Sequence, residues 1–301
     1  MAVTPNDYVK SDQVVETAIT LLQREIVLPR LVWTNGVGGW EGRRNDTITV
    51  RIPPSAVGRE RALRSADTIQ VDPMDEDSIA VKIDTQLYHG TPVTLEELTL
   101  DIRDYTTQKI VPQVRAVTEL YENKVADLIE SAAYQTTHVV DPDDPFPAFV
   151  DADLQLNDDN VPSGERTFVV GPRLYAAILK SPQFKHYDLN GNDDALRRAM
   201  VGQLAGYNLI RSNALTDKDS GYVFHKTAFV VGNRAPAVPL SAPAGGTVAS
   251  SDGHFALTWI RDYDFTQQIE RSVFSTFYGG NVVTDGGVFK RGAKISLNPG
   301  S

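Results

Sequence analysis

The chain has 301 residues, of which 41% are hydrophobic and 23% are charged, a composition typical of folded globular proteins. It contains no cysteine, which excludes disulfide-stabilised scaffolds, cysteine-bound zinc sites and thiol nucleophiles. Its formal net charge of −10 argues against a protein that coats nucleic acid, because neutralising phosphates requires a basic surface. No signal peptide or membrane span is predicted, so we expect a protein of the cytoplasm.

Residues 1–45 are predicted to form an N-terminal arm. Asp12 can cap a short amphipathic helix, because the apolar residues after it follow helical spacing: Val14, Val15, Ala18, Ile19 and Leu22. A glycine-rich turn over residues 35–39 follows. A short helix of this kind either docks on another molecule or packs on its own domain, and the sequence favours neither.

Residues 46–92 are predicted to form an extended β-loop. The segments Thr47–Ile52 and Ile79–Asp84 alternate apolar and polar residues with the period of a strand. The residues between them are too polar to bury, with a basic run followed by an acidic one: Arg59, Arg61, Arg64, then Asp72, Asp75, Glu76 and Asp77. Long excursions of this kind are uncommon in compact domains unless they have a function. We expect an arm that reaches a neighbouring subunit, with a solvated surface loop as the alternative.

A long helix is predicted from Thr94 to Ala132. Thr94 and Glu97 form a capping box, and apolar residues recur after it at steps of three or four. A helix approaching 40 residues would be about 60 Å long at 1.5 Å per residue. Pro112 is expected to kink it. Its length is typical of a structural spine, whereas the alternative of a coiled coil requires a heptad repeat that the sequence does not keep.

The second half of the chain is predicted to be a mixture of strands and helices. The segment from His138 to Gly164 is rich in aspartate and proline and is predicted to be a loop. A βα unit follows, made of strand 167–170 and helix 173–179, which Pro172 opens. The other predicted elements are a helix near 195–204, strands 207–210 and 228–231, and β structure from Phe255 onward.

No motif in the sequence predicts a catalytic, cofactor-binding or metal site. The glycines at 36–39 lack the spacing of a dinucleotide-binding turn. The segment 188–199 begins like a calcium-binding loop, but Asp193 stands where the loop needs glycine and Ala199 where it needs glutamate. The five histidines are scattered without metal-ligand spacing. We therefore expect a protein that is not an enzyme, although a site assembled from distant residues leaves no local pattern.

The order of these segments resembles the major capsid protein of tailed bacteriophages, which has the Hong Kong 97 (Johnson) fold, and within that family the podovirus coat proteins. The passages that carry the resemblance are spread over most of the chain: Leu21–Glu25, Leu28–Trp33, Asp46–Pro53, Thr94–Ala132, Gly202–Leu209, Thr227–Val230, Arg261–Asp264 and Phe277–Gly280. No single passage is specific, and it is their joint order that carries the match.

The resemblance implies an α+β fold of five parts: an N-terminal arm (1–45), an extended β-loop (46–92), a peripheral domain with the spine helix (93–140), an axial α/β domain (141–254) and return strands that complete the peripheral domain (255–301). It also implies the residues at contacts between subunits. These are Arg59, Arg61, Arg64, Asp75 and Glu76 on the extended loop, Glu96, Glu97 and Asp101 on the spine helix, and Gly202 and Gly206 at a turn of the axial domain. Lys82 lies in the loop that crosslinks covalently in some relatives, but nothing local supports that chemistry here.

In function, the resemblance implies pentamers and hexamers of an icosahedral phage head that encloses double-stranded DNA without sequence-specific binding. It implies a location in the virion capsid, assembly in the host cytoplasm, and no membrane partner. No scaffolding segment precedes the arm, so a separate scaffolding protein is expected together with a portal, and a decoration protein is a further candidate partner. Two alternatives stay open: an encapsulin-like compartment shell, which shares the fold, and a soluble α+β enzyme with a dispersed site.

Overall fold

The computed structural model of the protein describes residues 27–34, 47–52, 58–64, 68–71, 73, 77–97, 109–141, 144–181, 203–204, 207–240, 242, 244–249 and 254–297. Several sequence predictions lie outside these residues: the helix after Asp12, the glycine-rich turn at 35–39, the calcium-like segment 188–199, and the contact residues Asp75, Glu76, Asp101, Gly202 and Gly206.

The described residues contain three α-helices and thirteen strands. The helices are α1 (Val111–Glu130), α2 (Phe146–Asp158) and α3 (Pro172–Lys180), with 3-10 turns at Leu28–Arg30 and Lys226–Ala228. The strands are β1 (Thr47–Ile52), β2 (Asp77–Lys82), β3 (Thr85–Thr94), β4 (Thr137–Val139), β5 (Arg166–Val170), β6 (Gln203–Leu204), β7 (Tyr207–Arg211), β8 (Ser220–His225), β9 (Phe229–Arg234), β10 (Ala244–Ala249), β11 (Ala256–Asp264), β12 (Ile269–Val282) and β13 (Gly292–Ser296). This is a mixed α/β architecture.

The first sheet is built around β12, which is fourteen residues long. The strands lie in the order β10-β11-β12-β3, and β9 pairs with the far end of β12. Helix α1 packs on this sheet through one face, on which Val114, Val117, Tyr121 and Val125 are buried at helical spacing. The Tyr121 ring lies 5.0 Å from Phe255 and 5.9 Å from Tyr278, measured between ring centroids.

The second sheet has six strands in the order β4-β13-β8-β5-β7-β6. Its two central strands, β5 and β8, are buried along their whole length. Successive side chains of a strand point to opposite faces, and here the faces belong to different cores. Tyr222 and Phe224 of β8 join the core beneath α1, whereas Val223 between them joins the core beneath α2 and α3. The two cores therefore share a wall.

The segment 138–164 is not the loop that its composition predicts. It contains the end of β4 and the whole of helix α2, which buries Phe149, Ala152 and Leu156. Prolines stand at the start of the helix, where their missing N–H groups and fixed backbone angle suit the first turn. The prolines that suggest a loop therefore stand at the start of a helix, and the aspartates lie on its solvent-facing side.

The capping box at the start of the predicted spine helix is confirmed. The Thr94 hydroxyl accepts a hydrogen bond from the Glu97 N–H at 3.2 Å, and the Glu97 carboxylate accepts one from the Thr94 N–H at 3.0 Å. Thr94 is also the last residue of β3, and one helical turn over 95–97 follows. The continuity of the helix through 98–108 lies outside the described residues.

The described α-helix of the spine, α1, begins at Val111 and has 20 residues, about 30 Å at 1.5 Å per residue. Lys109 and Ile110 before it are π-helical. Pro112 therefore lies in the first turn of α1, at a change of helix type. The kink expected at this proline stays a prediction. A proline in this position leaves the regular hydrogen-bond ladder after it intact.

The strands of the second half are distributed differently from the sequence prediction. Residues 203–204, predicted as the end of a helix, form β6. Strands β9 and β10 join the same sheet as β11 and β12, although they precede residue 255. The last strand, β13, joins β8 and β4 in the second sheet, so it does not complete the first one. The five-part domain division itself stays a prediction.

Candidate functional site

The base of the predicted extended loop is a rigid two-stranded ribbon. Strands β1 and β2 pair antiparallel from Thr47 opposite Lys82 to Ile52 opposite Asp77. One face of the ribbon forms a small core of its own, made by Ile48, Val50, Ile79 and Val81 with Val230 and Val283. The other face carries polar residues, as expected for a ribbon covered on one side. The predicted strand pair is thereby confirmed, and the loop leaves it at Ile52 and returns at Asp77.

The ribbon is fixed to the first sheet at two points on β12. Asn281 donates a side-chain hydrogen bond of 2.9 Å to the Ala80 carbonyl. Gly279 lies so close to β2 that a Cβ atom there would overlap the Lys82 carbonyl. A glycine is required where two backbones approach in this way. The direction in which the loop leaves the subunit is therefore set by the position of β12.

The described residues of the loop, 58–64, 68–71 and 73, are exposed to solvent and form no helix or strand. Arg59, Arg61 and Arg64, the predicted contact residues, all lie here. Three large aliphatic side chains lie among them almost fully exposed: Leu63 at 97%, Ile69 at 75% and Val71 at 89%. Large apolar side chains grouped on an exposed element are typical of a surface that another protein covers.

The predicted carboxylates of the spine differ in what they contact. Glu97 is engaged within its own capping box, where it accepts a hydrogen bond from the Thr94 N–H. Glu96, one residue earlier, is exposed. The Glu97 carboxylate is therefore bound within its own turn. Of the two described carboxylates here, Glu96 is the one that faces solvent.

A contact missed by the sequence analysis attaches the end of the N-terminal arm to α1. Leu28 and Val32 are completely buried, and Trp33 bridges to β9 through hydrogen bonds with Phe229 and Val231. Glu122 of α1 accepts hydrogen bonds from the N–H groups of Leu28 at 2.9 Å and Val27 at 3.4 Å. Burial raises the pKa of the Glu122 carboxyl to about 7, although these two hydrogen bonds oppose the rise. Nothing in the local sequence marks Glu122 among the charged residues of α1.

Among the described residues, no group of three or more histidine, aspartate or glutamate side chains could hold a metal ion. None of the helices that the structure describes is long and apolar enough to cross a membrane. Two features stand out instead: an exposed loop that leaves a paired ribbon, and the end of an arm that buried contacts hold within the subunit. Of the two, the exposed loop is the surface suited to contacts with other protein chains.

Comparison with known proteins gives a family match. Residues 76–280 match the model of a family described as phage capsid protein. This range includes β2 to β11, the spine helix and most of β12. No curated protein sequence matches the chain.

Solved structures share the fold at low sequence identity. A chain of Mycobacterium phage Che8 is 18% identical with a TM-score of 0.66, covering 90% of this chain and 91% of that one. The capsid of the cyanophage P-SCSP1u is 15% identical with a TM-score of 0.61 and 84% coverage of each chain. A virus-like particle from Pyrococcus furiosus is 12% identical with a TM-score of 0.57, covering 95% of this chain and 98% of that one. At these identities the likeness concerns the fold, which is that of the Hong Kong 97 capsid proteins.

Proposed function

The chain belongs to the phage capsid protein family, and we propose that its copies assemble as pentamers and hexamers into an icosahedral head that encloses double-stranded DNA. As a major capsid protein it is a structural component of the virion. The observation that carries the proposal is the extended loop, which leaves a rigid ribbon and exposes Leu63, Ile69 and Val71 to water. A neighbouring subunit would cover these side chains on assembly.

The apolar side chains of the loop supply the larger part of the proposed contact. Fully burying one large aliphatic side chain contributes roughly 1.5–3 kcal/mol. Leu63, Ile69 and Val71 would bury their exposed surface on the neighbouring subunit. Because a closed shell repeats each contact in every subunit, even a modest contact energy summed over the shell holds it together.

The loop cations are proposed to set where the loop lies. Arg59, Arg61 and Arg64 would approach carboxylates of the neighbour's spine, of which Glu96 is exposed and Glu97 is bound in its capping box. Asp101 of the spine, Asp75 and Glu76 of the loop, and the axial turn at Gly202 and Gly206 belong to the same proposal. Exposed ion pairs contribute only about 0–1 kcal/mol each and weaken as salt rises. They therefore orient the loop, and the aliphatic residues hold it.

Other partners follow from the same proposal. Assembly would take place in the host cytoplasm, on a separate scaffolding protein and around a portal, with a decoration protein as a further partner. The enclosed DNA would be held without sequence-specific contacts, since a chain with a net charge of −10 does not neutralise phosphates broadly. An encapsulin-like compartment shares the fold, but the family match over 76–280 favours a phage head.

The test is particle formation by the purified chain, followed by light scattering and negative-stain microscopy. We expect the unaltered chain to give capsomers or spherical particles. Replacing Leu63, Ile69 and Val71 together by serine should leave the subunit folded by circular dichroism and abolish particles. The variant V288S, which changes an exposed valine outside the loop, is the control. A stable monomer or dimer of the unaltered chain would contradict the proposal.

The charge contribution is tested separately by reversing Arg59 and Arg61 to glutamate. We expect folded subunits that no longer form particles, whereas R59K/R61K, which keeps the charges, should assemble but tolerate less salt than the unaltered chain. Normal particles from the charge-reversed variant would show that these arginines are not needed for the contact. Nucleic acid inside particles recovered from infected cells would distinguish a phage head from a compartment shell.

A further inference from the structure

The hairpin between β11 and β12 presents an aromatic side chain at its tip. Phe265 is 85% exposed. The turn that carries it is closed by hydrogen bonds to Asp264: its carboxylate accepts from the N–H groups of Thr266 at 2.8 Å and Gln267 at 3.3 Å. The Gln268 N–H donates to the Asp264 carbonyl at 2.8 Å, and Gln268 has a positive φ of 56°. The tip therefore has a defined backbone conformation although it lies in solvent.

Side chains on both strands brace the tip further. Arg271 donates two hydrogen bonds to the Asp262 carboxylate, at 3.1 and 2.8 Å, and lies 3.6 Å from the Asp264 carboxylate. The Tyr263 ring packs edge-to-face against the Phe265 ring, with 4.9 Å between centroids. An aromatic side chain held in place before binding loses little conformational freedom when a partner covers it, which is the property of strong anchors at interfaces.

A cavity that could accept such a ring lies elsewhere on the same sheet. It has a volume of about 410 Å³ and lies where the β2–β3 connection meets β9 and β12. Its apolar lining is Ile83, Ala235, Ala237 and Phe277, and its polar lining is Asp84, Thr85, Gln86 and Arg234. A closed apolar cavity of roughly 150 Å³ already holds a benzene ring. The cavity therefore has room for the Phe265 ring and part of Tyr263.

The tip cannot fill the cavity of its own subunit. Ile269, next to the tip, pairs with Thr94 of β3, whereas Phe277, which lines the cavity, pairs with Gln86 at the other end of β3. The eight residue steps from Ile269 to Phe277 span about 27 Å of extended strand at 3.4 Å per step. A braced ring and an open cavity held this far apart on one rigid sheet can meet only between two molecules.

We propose that Phe265 of one copy inserts into this cavity of a neighbouring copy. The occupant is a second copy because the chain belongs to a family of capsid proteins, whose copies pack against one another in a shell. Each pair of neighbouring copies can therefore bring the tip of one to the cavity of the other. A contact between two different surfaces of the same chain is heterologous, and it propagates from subunit to subunit until a ring or shell closes. The inference rests on the proposed self-assembly and adds a second contact to that of the extended loop.

The chain has no cysteine, so a pair of introduced cysteines reports this contact directly. Thr266 is exposed next to Phe265, so a thiol at this position leaves the Phe265 ring in place. We expect the full-length variants T266C and A237C, mixed in equal amounts, assembled and oxidised, to give a disulfide-linked dimer on a denaturing gel. Neither variant alone should give it. Mixing A237C with V139C, which places a thiol at an exposed position in the other sheet, is the matched control. Equal crosslinking in the control mixture, or none between 266 and 237, would overturn the proposal.

Assembly of single variants separates this contact from the proposed function. F265A should fold normally and lose most particles, and A235L, which narrows the cavity, should do the same, while F146A removes another exposed phenylalanine and should assemble normally. Particles from the unaltered chain together with normal particles from F265A would overturn the Phe265 contact alone. Failure of the unaltered chain to form any oligomer, with no crosslink in the mixture, would overturn both.

Discussion

The backbone N–H of Leu28 donates a hydrogen bond of 2.9 Å to Glu122, a residue 94 positions further along the chain. This carboxyl group holds the end of the N-terminal arm against the spine helix, in a site buried enough to raise its pKa to about 7. A glutamate in this state links the attachment of the arm to the pH of the surroundings.

Glu122 should therefore make the stability of the subunit depend on pH. Its pKa is about 7 in the folded chain and near 4.5 when unfolded, so the folded chain binds more protons between these values. The contribution of Glu122 to the free energy of unfolding is then greatest in acid and is lost as the pH rises through about 7. We expect the free energy of unfolding of E122Q, measured with urea, to rise relative to that of the unaltered chain by on the order of 2 kcal/mol between pH 5 and pH 8.

The control for this measurement is E119Q, which removes an exposed carboxylate of the same helix that pairs with Arg115 at 3.4 Å. Its difference from the unaltered chain should change little with pH. A difference between E122Q and the unaltered chain that stays constant from pH 5 to pH 8 would show that Glu122 titrates normally.

Arg166 should be the most sensitive charged residue of the second core. Its guanidinium is buried and bonds to the Asp153 carboxylate at 2.6 Å, the Asn157 amide oxygen and the Pro162 carbonyl at 2.8 Å, and the Tyr207 hydroxyl at 3.2 Å. It thereby ties β5 to α2 and β7. Removing one member of a fully buried ion pair costs about 3–5 kcal/mol, because the remaining polar groups lose their partner. The Asp153 side chain is 36% exposed and keeps part of its hydration, so the loss here should be near the lower end, about 3 kcal/mol.

We expect R166M to lower the free energy of unfolding by that amount, and R166K to recover only part of it, since an ammonium group cannot reach all of these acceptors at once. In contrast, R173K changes an exposed arginine that pairs with Asp219 at 3.1 Å and should change stability by less than about 1 kcal/mol. Urea unfolding of the three variants measures the difference, and an R166M as stable as R173K would contradict it.

Gly279 should control the position of the extended loop. A methyl group on its Cα would overlap the Lys82 carbonyl, which is backbone and cannot rotate away, so G279A has to displace β2 from β12. We expect a loss of about 1–3 kcal/mol of stability, as in other overpacked sites, together with a loss of particles. G164A, at a glycine with open space around its Cα, should change neither. Wild-type assembly by G279A would mean that the ribbon tolerates a shift.

Local patterns predicted the elements whose stability is local. The alternation in 47–52 and 79–84 identified the ribbon, and the Thr94–Glu97 capping box was found in the structure with both hydrogen bonds formed. Helix α2 was missed because prolines and aspartates suit a helix start as well as a turn. Strand β8 was missed because it is buried on both faces, so its sequence shows no alternation.

The contact surfaces could be predicted only in part. The charges of the extended loop pointed to an exposed element, but the exposure of Leu63, Ile69 and Val71 depends on where the ribbon directs the loop. Glu122 acquires its role from a backbone N–H that the fold brings from the other end of the chain. The Phe265 tip and its candidate cavity lie at opposite ends of a sheet, and sequence spacing gives no sign that they match.

Strands β5 and β8 turn alternate side chains into the two cores, with Val169 and Phe224 on one side and Phe168 and Val223 on the other. If one core unfolds, these two strands are displaced and the other core loses the side chains that they contribute to it. We therefore expect the described body of the subunit to unfold in a single cooperative transition and to move as one rigid piece. A shell built from such subunits would change its size by rotation of whole subunits relative to one another. The interfaces between copies, rather than a hinge within each copy, would then take up the strain.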